Sequence, residues 1–324
     1  MKTLDRDFLQ LIGNRIINRA NRLGIELSDI GITPAKEKSL INGEYQFTFT
    51  EIKEIAEKLY IDPLRLLSKD YKDFTIRFRN IDRVHFQTIQ HIEEILHVLI
   101  SESLIKETLF KDLTKEYVNL KRDYGLDNFT IGITIANKTR NIYGIGISPI
   151  NLFKFCFENN FYPLIINENS AFEGALLVID NYAVALIKST YVPRMHFTLA
   201  HELGHFIMHK NLEIRFDDKI NLNDTKPEEV TANYFASEMI LPSEAVRQYR
   251  FIDLQDYCIS KEALSISLER NKVNLNLDFY VPKCDIRYVK PYTLNNIIRE
   301  NIDLYGIELK RIIELLLWNP RKNI

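Results

Sequence analysis

Apolar residues recur at helical spacing over most of this chain and alternate or run together in only one stretch, so the expected fold is α+β and mostly helical. A first amphipathic helix is predicted to end near Gly24. A tight region follows through Gly31 and Gly43, then a helix from about Thr50 to Leu59 before the stop signal Asp62-Pro63. From Asp82 to Lys121 the apolar positions Val84, Phe86, Ile89, Ile92, Leu96 and Leu99 predict a long helix followed by a second. Asn151 to Asn160 reads as another helix and Tyr162 to Ile166 as a strand. Gly174 to Ile179 and Tyr182 to Ile187, joined by Asp180-Asn181, form a predicted hairpin. Beyond it the pattern is helical again. Phe197 to Met208 is apolar on most sides, and Glu228 to Pro242 carries the stripe Ala232, Phe235, Ala236 and Met239. Leu254 to Arg270 is amphipathic, with Ser260 as an N-cap, and a last pair, Thr293 to Ile302 and Ile307 to Trp318, is broken at Gly306. Leu315, Leu316, Leu317 and Trp318 read as a docking face or dimer contact, which makes a homodimer an expectation.

The chemistry lies in the apolar helix, which reads His201-Glu-Leu-Gly-His205. Residues four apart on a helix project from one face, so His201 and His205 can bind a single Zn²⁺ through their ring nitrogens. Glu202 stands beside them and can take a proton from the attacking water and pass it to the leaving amine. Pro193 suits the first turn of this helix. Two imidazoles and a carboxylate inside an apolar segment are costly unless partnered, and a metal would satisfy all three. The third ligand is expected at Glu229, on the next helix, with Asn233 one turn later and able to accept the outer N–H of a ligating histidine. Other histidines add little. A third ligand of the metzincin type would fall at Asn211, so His209 reads as a packing or surface residue and His196 as structural. His85, His91 and His97 recur every six residues and form no ligand stripe.

The run Arg194 to His205, followed by Glu229-Val-Thr-Ala-Asn-Tyr-Phe-Ala and Ile240-Leu-Pro242, resembles the ImmA/IrrE-type metallopeptidases. The resemblance puts the family's ligands on His201, His205 and Glu229 and its general base on Glu202. It implies a gluzincin that cuts one protein partner, typically a helix-turn-helix repressor. In such a fold the hairpin supplies an edge strand above the metal helix, a platform for an extended substrate.

Residues 7 to about 70 resemble a Cro/CI-type helix-turn-helix, from the cues Gly31-Ile-Thr33, Leu40-Ile-Asn-Gly43 and the tail Ile52 to Leu67. Two departures stand against DNA binding: the second helix, between Ile25 and Gly31, is about a turn short, and Glu37 falls at a normally apolar position. Of the basic residues only Arg15, Arg19 and Arg22 cluster. Either Thr33, Lys36, Lys38 and Asn42 reach DNA, or the unit docks a protein. A transcriptional regulator or antitoxin-like protein with a sensory or structural zinc domain is therefore the alternative to a peptidase.

The expected domains are 1–70 helix-turn-helix-like, 71–135 helical linker, 136–245 zincin-like and 246–324 a C-terminal helical extension. With 42 basic against 44 acidic side chains, nothing global draws the chain to nucleic acid or an anionic membrane. Cys156, Cys258 and Cys284 are odd in number and far apart, which argues against a disulfide scaffold and for a reducing compartment. No apolar signal core or membrane span is evident, so the expected location is cytoplasmic, without membrane association.

Overall fold

The computed structural model describes residues 5–23, 25–59, 61–68, 75–79, 86–167, 174–209, 226–248 and 253–319. Gly24, Asp82 to His85 and Asn211, all invoked above, lie outside the described residues, as do the side chains of Arg22, Phe86 and Ile89.

Four helices come first: α1 (Arg6–Leu23), α2 (Pro34–Ile41), α3 (Phe49–Lys58) and α4 (Pro63–Leu66). They enclose a small core of Ile12, Ile16, Ile32, Leu40, Ile52, Ile55 and Leu66. Where a helix-turn-helix would carry its second helix, residues 27–31 make only a turn, closed by Gly31 N–H to Ser28 O and Ile32 N–H to Leu27 O. The residues expected on DNA are largely engaged within the chain. The Thr33 hydroxyl caps α2 at Lys36 N, and Asn42 closes α2 at its other end. Lys36 pairs with Glu51 at 3.2 Å and lies over the Tyr45 ring, whereas Lys38 is exposed. Arg15 donates to the carbonyls of Leu66 and Ser68. Arg19 is buried, donating to Leu59 O and pairing with buried Glu93 at 3.0 Å.

Strand β1 (Thr75–Arg79) and helix α5 (Phe86–Ser101) follow, then α6 (Thr114–Arg122), α7 (Asn128–Ile142), α8 (Leu152–Glu158), β2 (Phe161–Ile166), β3 (Gly174–Ile179) and β4 (Tyr182–Lys188). β3 and β4 are the expected hairpin, with Asp180 at φ 49° in its turn. β2 runs parallel to β4, and β1, which no sequence signal marked, pairs antiparallel with β3. The order is thus β1-β3-β4-β2. The expected boundary at 135/136 falls inside α7.

The sheet is covered on both faces, and the two-residue period of its strands sorts the side chains between them. Phe161, Ile165, Leu176, Val178, Ala183, Ala185 and Ile187 join the core that holds α6 to α8 and α9 (Val192–Met208), the helix that carries His201 and His205. Tyr162, Leu164, Ala175, Leu177, Val184 and Leu186 join a second core with α5 and two late helices, α14 and α15, whose bounds follow. After α9 come α10 (Pro227–Ile240), α11 (Ser243–Gln248), α12 (Lys261–Arg270, capped by Ser260), α13 (Ile286–Val289), α14 (Leu294–Glu300) and α15 (Ile307–Leu316).

The expected docking face at 315–318 turns largely inward. Leu317 and Trp318 are buried, and only Leu315 is fully exposed. The segment instead closes the outer edge of β2: Trp318 N–H donates to Ile165 O, and Asn167 N–H donates to Leu316 O at 2.7 Å. Buried Asn295 accepts from Ile165 N–H and donates to the carbonyls of Ile165 and Trp318.

The cysteine expectation also fails. Cys258 and Cys284 form a disulfide with their Cα atoms 5.2 Å apart. Proximity arises in the fold, where the 273–292 segment wraps back over the main core and Tyr280 donates its hydroxyl to the Tyr257 and Ile259 carbonyls. Cysteine usage therefore no longer argues for a reducing compartment. Among the described residues no helix is long and apolar enough to cross a membrane.

Candidate active site

α9 is buried almost throughout because the sheet, α6, α8 and α10 surround it; Leu199, Ala200, Leu203 and Phe206 lie in the main core. Gly204, between the two histidines, has a packing role. A Cβ there would meet the Phe235 ring at 2.8 Å, so its absence lets α10 lie close against α9. That contact brings the start of α10, and Glu229, over the histidine face.

Three donors meet there. His201 Nε2 and His205 Nε2 are 2.8 Å apart, Glu229 Oε2 is 3.3 Å from the first, and Glu229 Oε1 is 3.1 Å from the second. Ligands about 2.0–2.1 Å from a tetrahedral zinc ion stand roughly 3.3 Å from one another; the two imidazole–carboxylate separations, one to each Glu229 oxygen, are close to that spacing, and the imidazole nitrogens stand nearer together. Among the described residues this is the group of histidine, cysteine and acidic side chains placed to hold a metal. Both histidines are buried, while the Glu229 side chain keeps 20% exposure, which gives the cluster a solvent-facing side. Burial alone would raise the Glu229 carboxyl, but the His205 and His201 imidazoles outweigh it and hold the group well below the usual carboxylate range.

Glu202 is buried on α9, where the sheet comes down on it. A Cβ built at Gly174, the first residue of β3, would lie 2.4 Å from Thr198 Cγ2 and 3.1 Å from Glu202 Oε1. Strand and carboxylate are near neighbours.

His209, read from sequence as a packing or surface residue, lies against a candidate ligand. It is fully buried, and its Nδ1 lies 3.0 Å from His205 Nδ1. With His205 Nε2 turned to the cluster, a His205 that binds a metal there would carry its proton on Nδ1, where His209 Nδ1 is placed to accept it and hold the ring direction. Tyr117 packs edge-on against His209 with centroids 4.7 Å apart. The available signal was the second four-residue step, His205 to His209, along one helix face. Asn233, expected in this part, sits half-buried on α10 one turn after Glu229. Replacing His209 with alanine should weaken metal affinity by about 10- to 100-fold, and glutamine should restore part of it. Chelator competition measures this, and unchanged affinity would remove His209 from the site.

His196 is structural, as expected. Its Nε2 accepts from Leu152 N–H at 3.1 Å, and burial pulls its pKa from 6.5 down to about 4. Between those values the unfolded chain binds more protons than the folded one, so stability present above pH 6.5 is lost as pH falls toward 4. The loss from this residue approaches roughly 3 kcal/mol. Urea titrations of metal-free protein should give a flatter profile for His196→Gln, and parallel profiles would refute the assignment.

With the geometry in hand, comparison with known proteins is informative. Residues 168–269 match the peptidase M78 family model, described as the IrrE N-terminal-like domain. The match includes His201, Glu202, His205 and Glu229 and covers less than a third of the chain. It supports a metallopeptidase of the ImmA/IrrE type. No curated protein matches the chain.

Proposed function

We propose that this chain is a zinc-dependent endopeptidase of narrow specificity that cleaves one cytoplasmic regulatory protein, a helix-turn-helix repressor. The observation that carries the reading is the convergence of His201, His205 and Glu229 from two helices, with Glu202 on the same helix as the histidines. Zn²⁺ bound by those three side chains would supply Lewis acidity toward a scissile carbonyl and acidify water to a pKa of about 7. The protein's own groups do the rest. Glu202 takes the proton of the attacking water and delivers it to the leaving nitrogen, and its burial keeps that transfer away from bulk solvent. His209 holds His205 in one orientation through the cycle. A substrate in extended form would run along the sheet beside Glu202, pairing through its backbone.

The alternative of a DNA-reading regulator gains no support from the first helical unit, where Arg15, Arg19 and Lys36 are tied to partners within the chain. Co-expression with the products of neighbouring genes tests the proposal. A repressor shortened by the parent and left intact by Glu202→Gln is the expected outcome. If both proteins leave every neighbouring product intact, the assigned substrate is wrong.

A further inference from the structure

We propose that β1 is an internal occupant of the substrate-pairing edge, a strand that must leave β3 before an extended peptide can enter. The inference rests on the peptidase reading above and concerns the regulation of the same site. A strand edge exposes a row of unpaired N–H and C=O groups, and peptide recognition by strand addition uses such a row. Of the strands in this sheet, β3 brings its end at Gly174 against Thr198 and Glu202 of α9. One side of β3 is taken by β4 in the hairpin, and β1 holds the other.

The register gives the occupancy its meaning. Thr75 faces Val178, Arg77 faces Leu176 and Arg79 faces Gly174, so the C-terminal end of β1 reaches the level of the general base. A substrate backbone paired with β3 would need the path that the β1 backbone holds. The far edge of the sheet differs in kind. There β2 is closed by Leu316 to Trp318 and by Asn295, whose side chain makes three hydrogen bonds, all with buried partners behind them. β1 is five residues long and lies between α4 and α5, directly after the first helical unit. A short edge strand held by one ladder is the element least costly to release. Through this arrangement a partner that engages the helical unit gains a means of drawing β1 away.

The test compares the zinc-loaded parent with Arg77→Pro/Phe78→Pro. In an antiparallel ladder successive N–H groups point alternately toward and away from the partner, so two adjacent prolines remove a ladder donor in either phase. Ile76→Gly/Phe78→Gly, which lowers strand propensity without removing a donor, is the second variant should the proline pair fail to fold. Two probes are titrated by calorimetry: acetohydroxamic acid, which needs only the metal, and a tripeptidyl hydroxamate, which also needs the β3 edge. Acetohydroxamic acid should bind parent and variants alike. The tripeptidyl compound should bind the variants at least tenfold more tightly, and a synthetic Asp73–Ile81 peptide should compete with it. Hydrogen exchange should show those amides of β3, within residues 174–179, that point toward β1 less protected in the variants.

Equal tripeptidyl affinity in all proteins, with the β3 amides released and acetohydroxamic acid bound, would overturn the assignment of β1 and leave the peptidase intact. Failure of acetohydroxamic acid to bind any of them would overturn the metal-site reading and this proposal together.

Discussion

Glu202→Gln is expected to retain zinc and lose cleavage, the rate on the natural target falling by a factor of about 10² to 10⁴. Glutamine keeps the shape of glutamate, so the close packing of Gly174, Thr198 and residue 202 survives, and so do the three metal donors. What disappears is the carboxylate proposed to accept the proton of water. Single-turnover cleavage at saturating enzyme measures the loss, with metal content determined by mass spectrometry and folding by thermal melting. A variant that cuts at the parental rate would show that Glu202 is not the base.

Glu229→Ala should act on the metal itself. It removes the only oxygen among the three donors and leaves two histidines on one helix. Loss of an outer partner of a ligand costs about 10- to 100-fold in affinity, so loss of a ligand should exceed that and approach a thousandfold. The effect should appear without any substrate. Metal that binds only the folded state raises its stability by RT ln(1 + [L]/Kd), about 4 kcal/mol when free zinc is 1,000 times Kd. Parental protein should therefore melt higher as zinc is added, whereas Glu229→Ala should show no shift over the same range. A parental shift in the variant would mean that the ion is held elsewhere.

The parts legible in the sequence were those fixed by local spacing. The histidine helix, the helix bearing Glu229 and the β3–β4 hairpin each carry their period within a dozen residues, and all three form where expected. Four features were out of reach for a common reason, since each depends on a distant part of the chain. β1 is five residues of Thr-Ile-Arg-Phe-Arg whose ladder partner lies about a hundred positions away. Cys258 and Cys284 meet only because the segment between them folds back. The run Leu315 to Trp318 looks like an exposed apolar patch until β2 offers it an edge. α7 hides in a stretch of threonines, asparagines and isoleucines with weak propensity, and packing against α10 stabilises it. His209 is another matter. Its spacing was visible, but it was measured against a ligand pattern from a different class of metal site.

The bare backbone at Gly174 also limits how this enzyme can be altered. With only 2.4 Å between a hypothetical methyl group and Thr198 Cγ2, any bulkier residue must displace the Thr198 side chain or shift the strand relative to the helix. A substitution at position 174 therefore disturbs the contact between β3 and α9 that places the strand beside Glu202.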